Sequence, residues 1–493
     1  MRTSRIASAL TTQTACPARR EYDSLSATTD QGNRDEPLSR DLRRRAARQK
    51  GATIAERILL AKTVCLKRLG PGRGDELGAG RFFGNPKVTA EKIVDSWADR
   101  TREAVKDLHI LAPQDTSEIH FATRPGHRRG LGPCGHGNAH GVLAHVMMAL
   151  DADSRACLGL VHGQLWNRPG LVKTPLGQRA LSAKESRRWV ETAEQAKEIL
   201  GQAVMVTVIT DREGDIYPIW ARVPDDRTHV LSRVMSDRCL VGEKKGVTLH
   251  TVAKRFRVAG RATIALPARP PERPARDARV AIRFGAVEIA RPVNEKDRTL
   301  PKSVRLSMVE VREIRPPKDV EPLHWRLLTT HPVPDVAKAW RVVSWYQGRW
   351  PIEQLFRVSK SQGLGLEDSQ LHTAERLLKL TAAAMKAACV DMQLVQERDG
   401  VHGLPATTVF SKAEIATIET LNPTLEGRTE KQRNPHPDGS LARAGWVIAR
   451  LGGWNCYGHP PGPITFHRGM ERFNAIHLGY TMRSPPKREV RID

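Results

Sequence analysis

The sequence predicts an α/β protein: a mixed sheet flanked by helices and interrupted by a β-rich insertion, with helical N- and C-terminal parts. Three observations predict it. Between residues 109 and 211, extended segments give way to an amphipathic helix and then to a wholly apolar strand. Period-two alternation returns over 250–330, broken by Pro-rich stretches such as PARPPERPARD. Helical periodicity fills the chain before the first of these regions and after the second.

Residues 1–53 are polar and Arg-rich, ending near DLRRRAARQK, and read as a basic, disordered arm. Residues 54–108 carry TIAERILLAKTVCLKRLG and NPKVTAEKIVDSWADRTREAVKDL, two helical stretches parted by an Asn85-Pro86 turn. They read as a small helical DNA-binding module. The first part of the α/β core is expected over 109–249. HILAPQDTSEIHF is its first strand, and HVMMALDAD and ACLGLVHGQLW form a hairpin turned at Asp153-Ser154-Arg155. SAKESRRWVETAEQAKEIL is an amphipathic helix with a Ser cap and Glu185 in the capping-box position, and VMVTVITDREGDIY is a buried strand ending on Asp211. The insertion at 250–330 contributes four β segments, the last of them HWRLLTT. The second part of the core, 331–400, has a helix starting near Asp335, a break at Gly348 and a new helix whose first turn suits Pro351. Residues 401–493 read as a helical C-terminal region suited to dimerisation.

Charge narrows the partners. The 493 residues hold 79 Lys and Arg against 54 Asp and Glu, a formal net charge of +25. Such an excess marks a polyanion partner, because neutralised phosphates release condensed counterions, and arginine favours bidentate phosphate contact. No apolar run approaches a membrane span and the basic N-terminus lacks a secretory core, so a soluble, cytoplasmic protein without a membrane partner is expected. The seven cysteines are dispersed without a CxxC pair, which argues for thiols. Cys134, His136, His140 and His145 crowd a Gly-rich loop, GLGPCGHGNAHG, but lack standard ligand spacing and read as a loop feeding a strand.

Three acids carry the chemistry. Asp115 and Asp211 stand at the ends of separate strands and Glu353 lies on a distant helix. Phosphodiester chemistry needs oxygen ligands gathered from separate elements, and acids without nearby His or Cys suit Mg²⁺. Each acid alone is more often a surface carboxylate or a helix cap. Around Glu353 the order is Tyr346, Arg349, Glu353, Lys360, with Glu353, Arg357 and Lys360 on one helical face. That stripe fits either a solvated ion-pair face or a metal-binding acid flanked by phosphate-binding cations.

The Tyr-Arg-Glu-Lys spacing resembles the signature of bacterial cut-and-paste transposases of insertion sequence family four. QDTSEIHF resembles the segment bearing that family's first Asp, and VITDREGDIY its second. The resemblance covers roughly residues 60–460, in the family's order, whereas the first 50 or so residues do not resemble its usual start. It implies an RNase H-like core interrupted by a β-rich insertion before the Glu. It also implies two Mg²⁺ ions, with Mn²⁺ able to substitute, held by Asp115, Asp211 and Glu353. By position it assigns Trp325 to stacking on a flipped base, the alternative being a core tryptophan. It assigns Arg233, Tyr346, Arg349, Arg357 and Lys360 to contacts with DNA. The implied activity is nicking at terminal inverted repeats of an insertion sequence and joining of the 3′ ends to target double-stranded DNA by a homodimer. An idle DNA-binding inhibitor and a metal-dependent nuclease of the same fold are the competing readings.

Overall fold

A computed structural model describes residues 64–66, 73–122, 129–135, 139–168, 184–244, 246–266, 275–318, 320–362 and 364–483. The arm expected over 1–53 and most of the helix expected from residue 54 lie outside the described residues.

In chain order the helices and strands are α1 (Arg73–Gly84), α2 (Ala90–Asp95), α3 (Thr101–Ala104), β1 (His109–His120), β2 (Gly132–Pro133), β3 (His140–Asp151) and β4 (Cys157–Trp166). Then come α4 (Arg187–Ile199), β5 (Met205–Thr210), α5 (Tyr217–Arg222), β6 (Thr228–Arg233) and α6 (Leu249–Arg255). The insertion strands are β7 (Gly260–Leu266), β8 (Arg276–Ala290), β9 (Ser303–Glu313) and β10 (His324–Thr329). The chain continues through α7 (Val336–Gln347), α8 (Trp350–Arg357), α9 (Ala374–Glu397), α10 (Lys412–Leu425), α11 (Leu441–Leu451) and α12 (Pro463–Arg483).

All ten strands join one sheet. β4, β3 and β1 run antiparallel in sequence, and β5 and then β6 add parallel on the other side of β1. Three meandering strands followed by two parallel ones is the RNase H-like order. The insertion does not form a separate sheet. β10 pairs antiparallel with β6, and β9, β8 and β7 extend the same ladder outward.

Alternation along the central strands splits the core into two faces. Leu111, Ile209, Leu231 and Leu327 face α7, α8 and α9, while Ile110, Val208, Val230 and Leu328 face Trp189 of α4 and Trp220 of α5. Asp335 caps α7, accepting from the Lys338 N–H at 2.8 Å, and Pro351 occupies the first turn of α8.

Three local expectations change. The stretch RGDELGAGRFFG forms α1, because Phe82 and Phe83 bury themselves in the core shared with α9. The indole N–H of Trp97 donates to the Ala382 carbonyl of α9 at 3.0 Å, so the described part of 73–104 is packed on the core rather than free-standing. Helix α4 starts at Arg187, later than its sequence suggested, and the expected cap, Ser182, lies outside the described residues. Glu185 is drawn away into a two-pronged pair with Arg168, both contacts at 2.7 Å.

At the N-terminal end of the parallel strands, Thr207 Oγ1 lies 2.8 Å from both His109 Nε2 and His331 Nε2. His331 stacks on His229 with ring centroids 3.8 Å apart. Burial, then Lys338, holds His109 down to about 4, and burial, then His229, holds His331 down to about 2. These rings fold neutral. An unfolded histidine takes up its proton near pH 6.5, so the folded state binds fewer protons below that value. Stability is therefore expected to fall as pH drops from about 6.5 through 4, by a few kcal/mol. Thermal melts across that range check it: His331→Phe should flatten the slope, and an unchanged slope would remove the triad as its cause.

Candidate active site

The register of the parallel strands builds the site. The β1–β5 ladder ends at Pro113 beside Ile209, and β5–β6 ends at Thr210 beside Ser232. Two residues beyond the first pair come Asp115 and Asp211, and one beyond the second come Asp211 and Arg233. The three side chains thus stand abreast at the C-terminal ends of neighbouring strands, where α/β sheets place their ligands. Asp211 also caps the short helical turn Arg212–Gly214, accepting from the Glu213 N–H at 2.9 Å.

Helix α8 brings the third acid. Ile352 and Leu355 are fully buried on its inner face, which fixes its rotation and leaves Glu353 half-exposed at the sheet end. Arg349, just before α8, bridges two acids: Nη1 donates to Asp115 Oδ2 at 2.8 Å and Nη2 donates to Glu353 Oε1. The carboxylates of Asp115, Asp211 and Glu353 are not drawn within 4.8 Å of a common set of donors, since the guanidinium stands between two of them.

Burial, then Asp211, pushes the Asp115 carboxyl up to about 7 despite Arg349. Arg349 shifts upward as well: burial disfavours its charge, but Tyr346, Asp115, Glu353 and Asp211 together hold it above its ordinary value, so its charged form is favoured where that of Asp115 is not. The two shifts pull against each other across one ion pair. A guanidinium does not deprotonate in proteins, so Arg349 is the fixed charge and Asp115 is the group that takes up a proton. Asp115 is raised above its unfolded value, so its contribution to stability is present below about pH 4 and lost as pH rises through 7. Asp115→Asn is expected to raise the melting temperature at pH 8 without metal and to leave it unchanged near pH 4. A variant no more stable than the parent at pH 8 would show that the carboxylate is not under this strain.

The remaining expected residues fall into two groups. Tyr346 and Arg233 are at the site: Tyr346 is buried, and burial pushes its phenol up against the pull of Arg349 and of Arg233, which reaches its hydroxyl. Trp325 is 5% exposed and packs edge-on against Tyr346, ring centroids 5.5 Å apart. Of the two roles left open for it, the core position is the one its ring occupies here, in β10 among apolar neighbours on the α7 face. Arg357 is exposed on α8, and Lys360 is half-buried one turn on. The chain passes into a π-helical turn at Val358–Gln362, which slips the phase of Lys360 relative to the straight stripe expected from i, i+4, i+7 spacing.

Sequence reasoning missed the support behind β1. Gln114, Thr116, His145, Arg188 and Glu213 form one chain of contacts. Gln114 Oε1 lies 2.9 Å from His145 Nε2, and His145 Nδ1 lies 2.8 Å from Thr116 Oγ1. Arg188 donates to Thr116 Oγ1 and to Glu213 Oε2, both at 2.9 Å. Burial holds His145 neutral, well below its ordinary range. The chain grips Asp115 by its two strand neighbours and Asp211 through Glu213. Glu213 in DREGD was the one available signal.

The donor set fits divalent ions that prefer oxygen: burial, then the neighbouring Asp211, disfavours the charged form of Asp115, and a bound dication would favour it. One solved structure similar to this chain is a piggyBac transposase synaptic complex with hairpin DNA, matched at 9% identity over 90% of this chain and 73% of that one, with a TM-score of 0.37. Among the described residues no helix is long and apolar enough to cross a membrane. Residues 182–389 match the family model described as the transposase DDE domain, so the segment carrying Asp211 and Glu353 is similar to the DDE domain of transposases.

Proposed function

We propose that this chain is a metal-dependent DNA transposase of an insertion sequence, with Asp115, Asp211 and Glu353 as its metal-binding acids. The observation that carries the reading is the alignment of Asp115 and Asp211 on adjacent parallel strands, with Glu353 tied to Asp115 through Arg349. The match of 182–389 to the transposase DDE domain supports it. Two Mg²⁺ ions, when bound, would supply Lewis-acid activation of the attacking oxygen and stabilise the leaving one.

The protein's own residues do the rest. Asp115, rigid in β1, and Asp211, at the end of β5, hold their carboxylates on a fixed frame, while Glu353 supplies an acid from a helix. Arg349, Arg233 and Tyr346 orient phosphate at the same sheet end, and Arg357 and Lys360 extend that cationic edge along α8. Water displaces a 3′ oxygen at each element end, and the freed 3′ hydroxyl then displaces a 3′ oxygen in target DNA. The segment 54–108 assists DNA delivery, 401–493 pairs two copies, and the net charge of +25 suits the polyanion.

The test is incubation of the full chain with Mg²⁺ and DNA carrying the inverted repeats that flank its gene. End-specific nicking followed by strand transfer supports the reading. Binding without cleavage would replace it with an idle DNA-binding protein, and cleavage blind to the ends with a nuclease.

A further inference from the structure

We propose that Glu118, His120 and Cys134 form a second metal site, of zinc type, on the face of β1 opposite the three acids. Alternation along β1 puts Asp115 on one face and Glu118 and His120 on the other. A carboxylate oxygen of Glu118, a ring nitrogen of His120 and the Cys134 sulfur all lie within 4.8 Å of one another. His120 Nε2 stands 3.7 Å from Glu118 Oε2. Tetrahedral ligands about 2.0–2.3 Å from zinc stand roughly 3.3–3.8 Å apart, so these side chains need little movement to close on one ion.

The backbone beside them supplies an independent observation. Gly135 adopts φ +77°, and a Cβ placed there would lie 2.8 Å from His120 Nε2 and 3.0 Å from Glu118 Oε2. Any side chain at 135 would enter the space shared by the donors; glycine keeps it open. The support is fixed as well. The backbone N–H of His120 donates to Glu367 Oε1 at 3.1 Å, while the Cys134 thiol donates to the Val142 carbonyl at 3.7 Å until it ionises. The Cys, His and Glu donor set is what zinc selects, in contrast to the all-oxygen set across the strand. Sequence spacing could not reveal it: Cys134 pairs with residues fourteen and sixteen positions earlier, while His145, its apparent partner, is fully buried and engaged with Thr116 and Gln114.

Binding is balanced by one proton: the Cys134 thiol gives up its hydrogen as the sulfur–metal bond forms. Glu118, His120 and Cys134 fill three positions and leave a fourth for water. An ion here staples the segment after β2 to the end of β1, three residues from Asp115.

Co²⁺ titrated into the metal-free full chain, followed by absorbance, tests this. The expected result is a thiolate-to-cobalt charge-transfer band saturating at one ion per chain, displaced by Zn²⁺. Cys134→Ser should abolish the band, and His120→Ala should weaken binding tenfold or more. Gly135→Ala, which removes no ligand but sets a Cβ against His120 and Glu118, should weaken it likewise. Glu353→Gln should leave the band intact, separating this site from the acids. Absence of a thiolate band, or a band surviving in a folded Cys134→Ser chain, would overturn the proposal.

Discussion

Glu353→Gln is expected to abolish Mg²⁺-dependent cleavage of element ends, lowering the rate by at least ~10³-fold, which corresponds to about 4 kcal/mol of transition-state stabilisation. Glutamine keeps the size and one acceptor oxygen but loses the charge that helps hold a metal ion. Glu353 is half-exposed at the start of α8, so the fold should survive: Ile352 and Leu355, which anchor the helix, are untouched. DNA binding should persist, because the cations around the site remain. Cleavage within tenfold of the parent would remove Glu353 from the reaction and leave Asp115 and Asp211 without their helix-borne partner.

The second large effect concerns stability. Asp215, the last acid of DREGD, has a side chain with no exposure, and it accepts from the Met235 and Ser236 N–H groups at 2.7 and 2.8 Å. Its other oxygen accepts from Arg238 Nη2 at 2.7 Å, and the Arg238 guanidinium lies 4.8 Å from the centre of the Trp220 ring. Asp215→Ala leaves a cation and two amides without an acceptor, at a cost of roughly 3–5 kcal/mol. A melting-temperature drop on the order of 5 °C is expected, with Asp215→Asn in between because it keeps an acceptor. Equal melting curves for parent and alanine variant would show that the loop after Asp211 is held by something else.

Much of the frame was legible because it rests on periodicity. The strands around 109–120, 140–151, 157–166 and 205–210, and the four insertion strands, all follow period-two patterns or apolar runs bounded by turns. Pairing was not legible. Nothing local in HWRLLTT tells that β10 docks on β6, since a long-range ladder leaves no mark in either strand alone. Helix α1 was hidden by its glycines, and the start of α4 by an ion pair between Glu185 and Arg168, 17 residues earlier. At the site, spacing drew attention to Asp115, Asp211, Arg349 and Glu353, and these do lie together; their roles are the proposal above. Burial of Trp325, the π turn before Lys360 and the polar chain from Gln114 to Glu213 depend on packing across elements, which residue order does not encode.

The continuity of the sheet has a mechanical consequence. From β5, which ends one residue before Asp211, through β6, β10, β9 and β8 to the edge strand β7 there are five strand spacings, about 24 Å at ~4.8 Å each. That interval is set by ladders of backbone hydrogen bonds. The carboxylate end and the outer edge behave as the two marks of one gauge bar, and a load on β7 is felt at Asp211 as shear rather than as a swing.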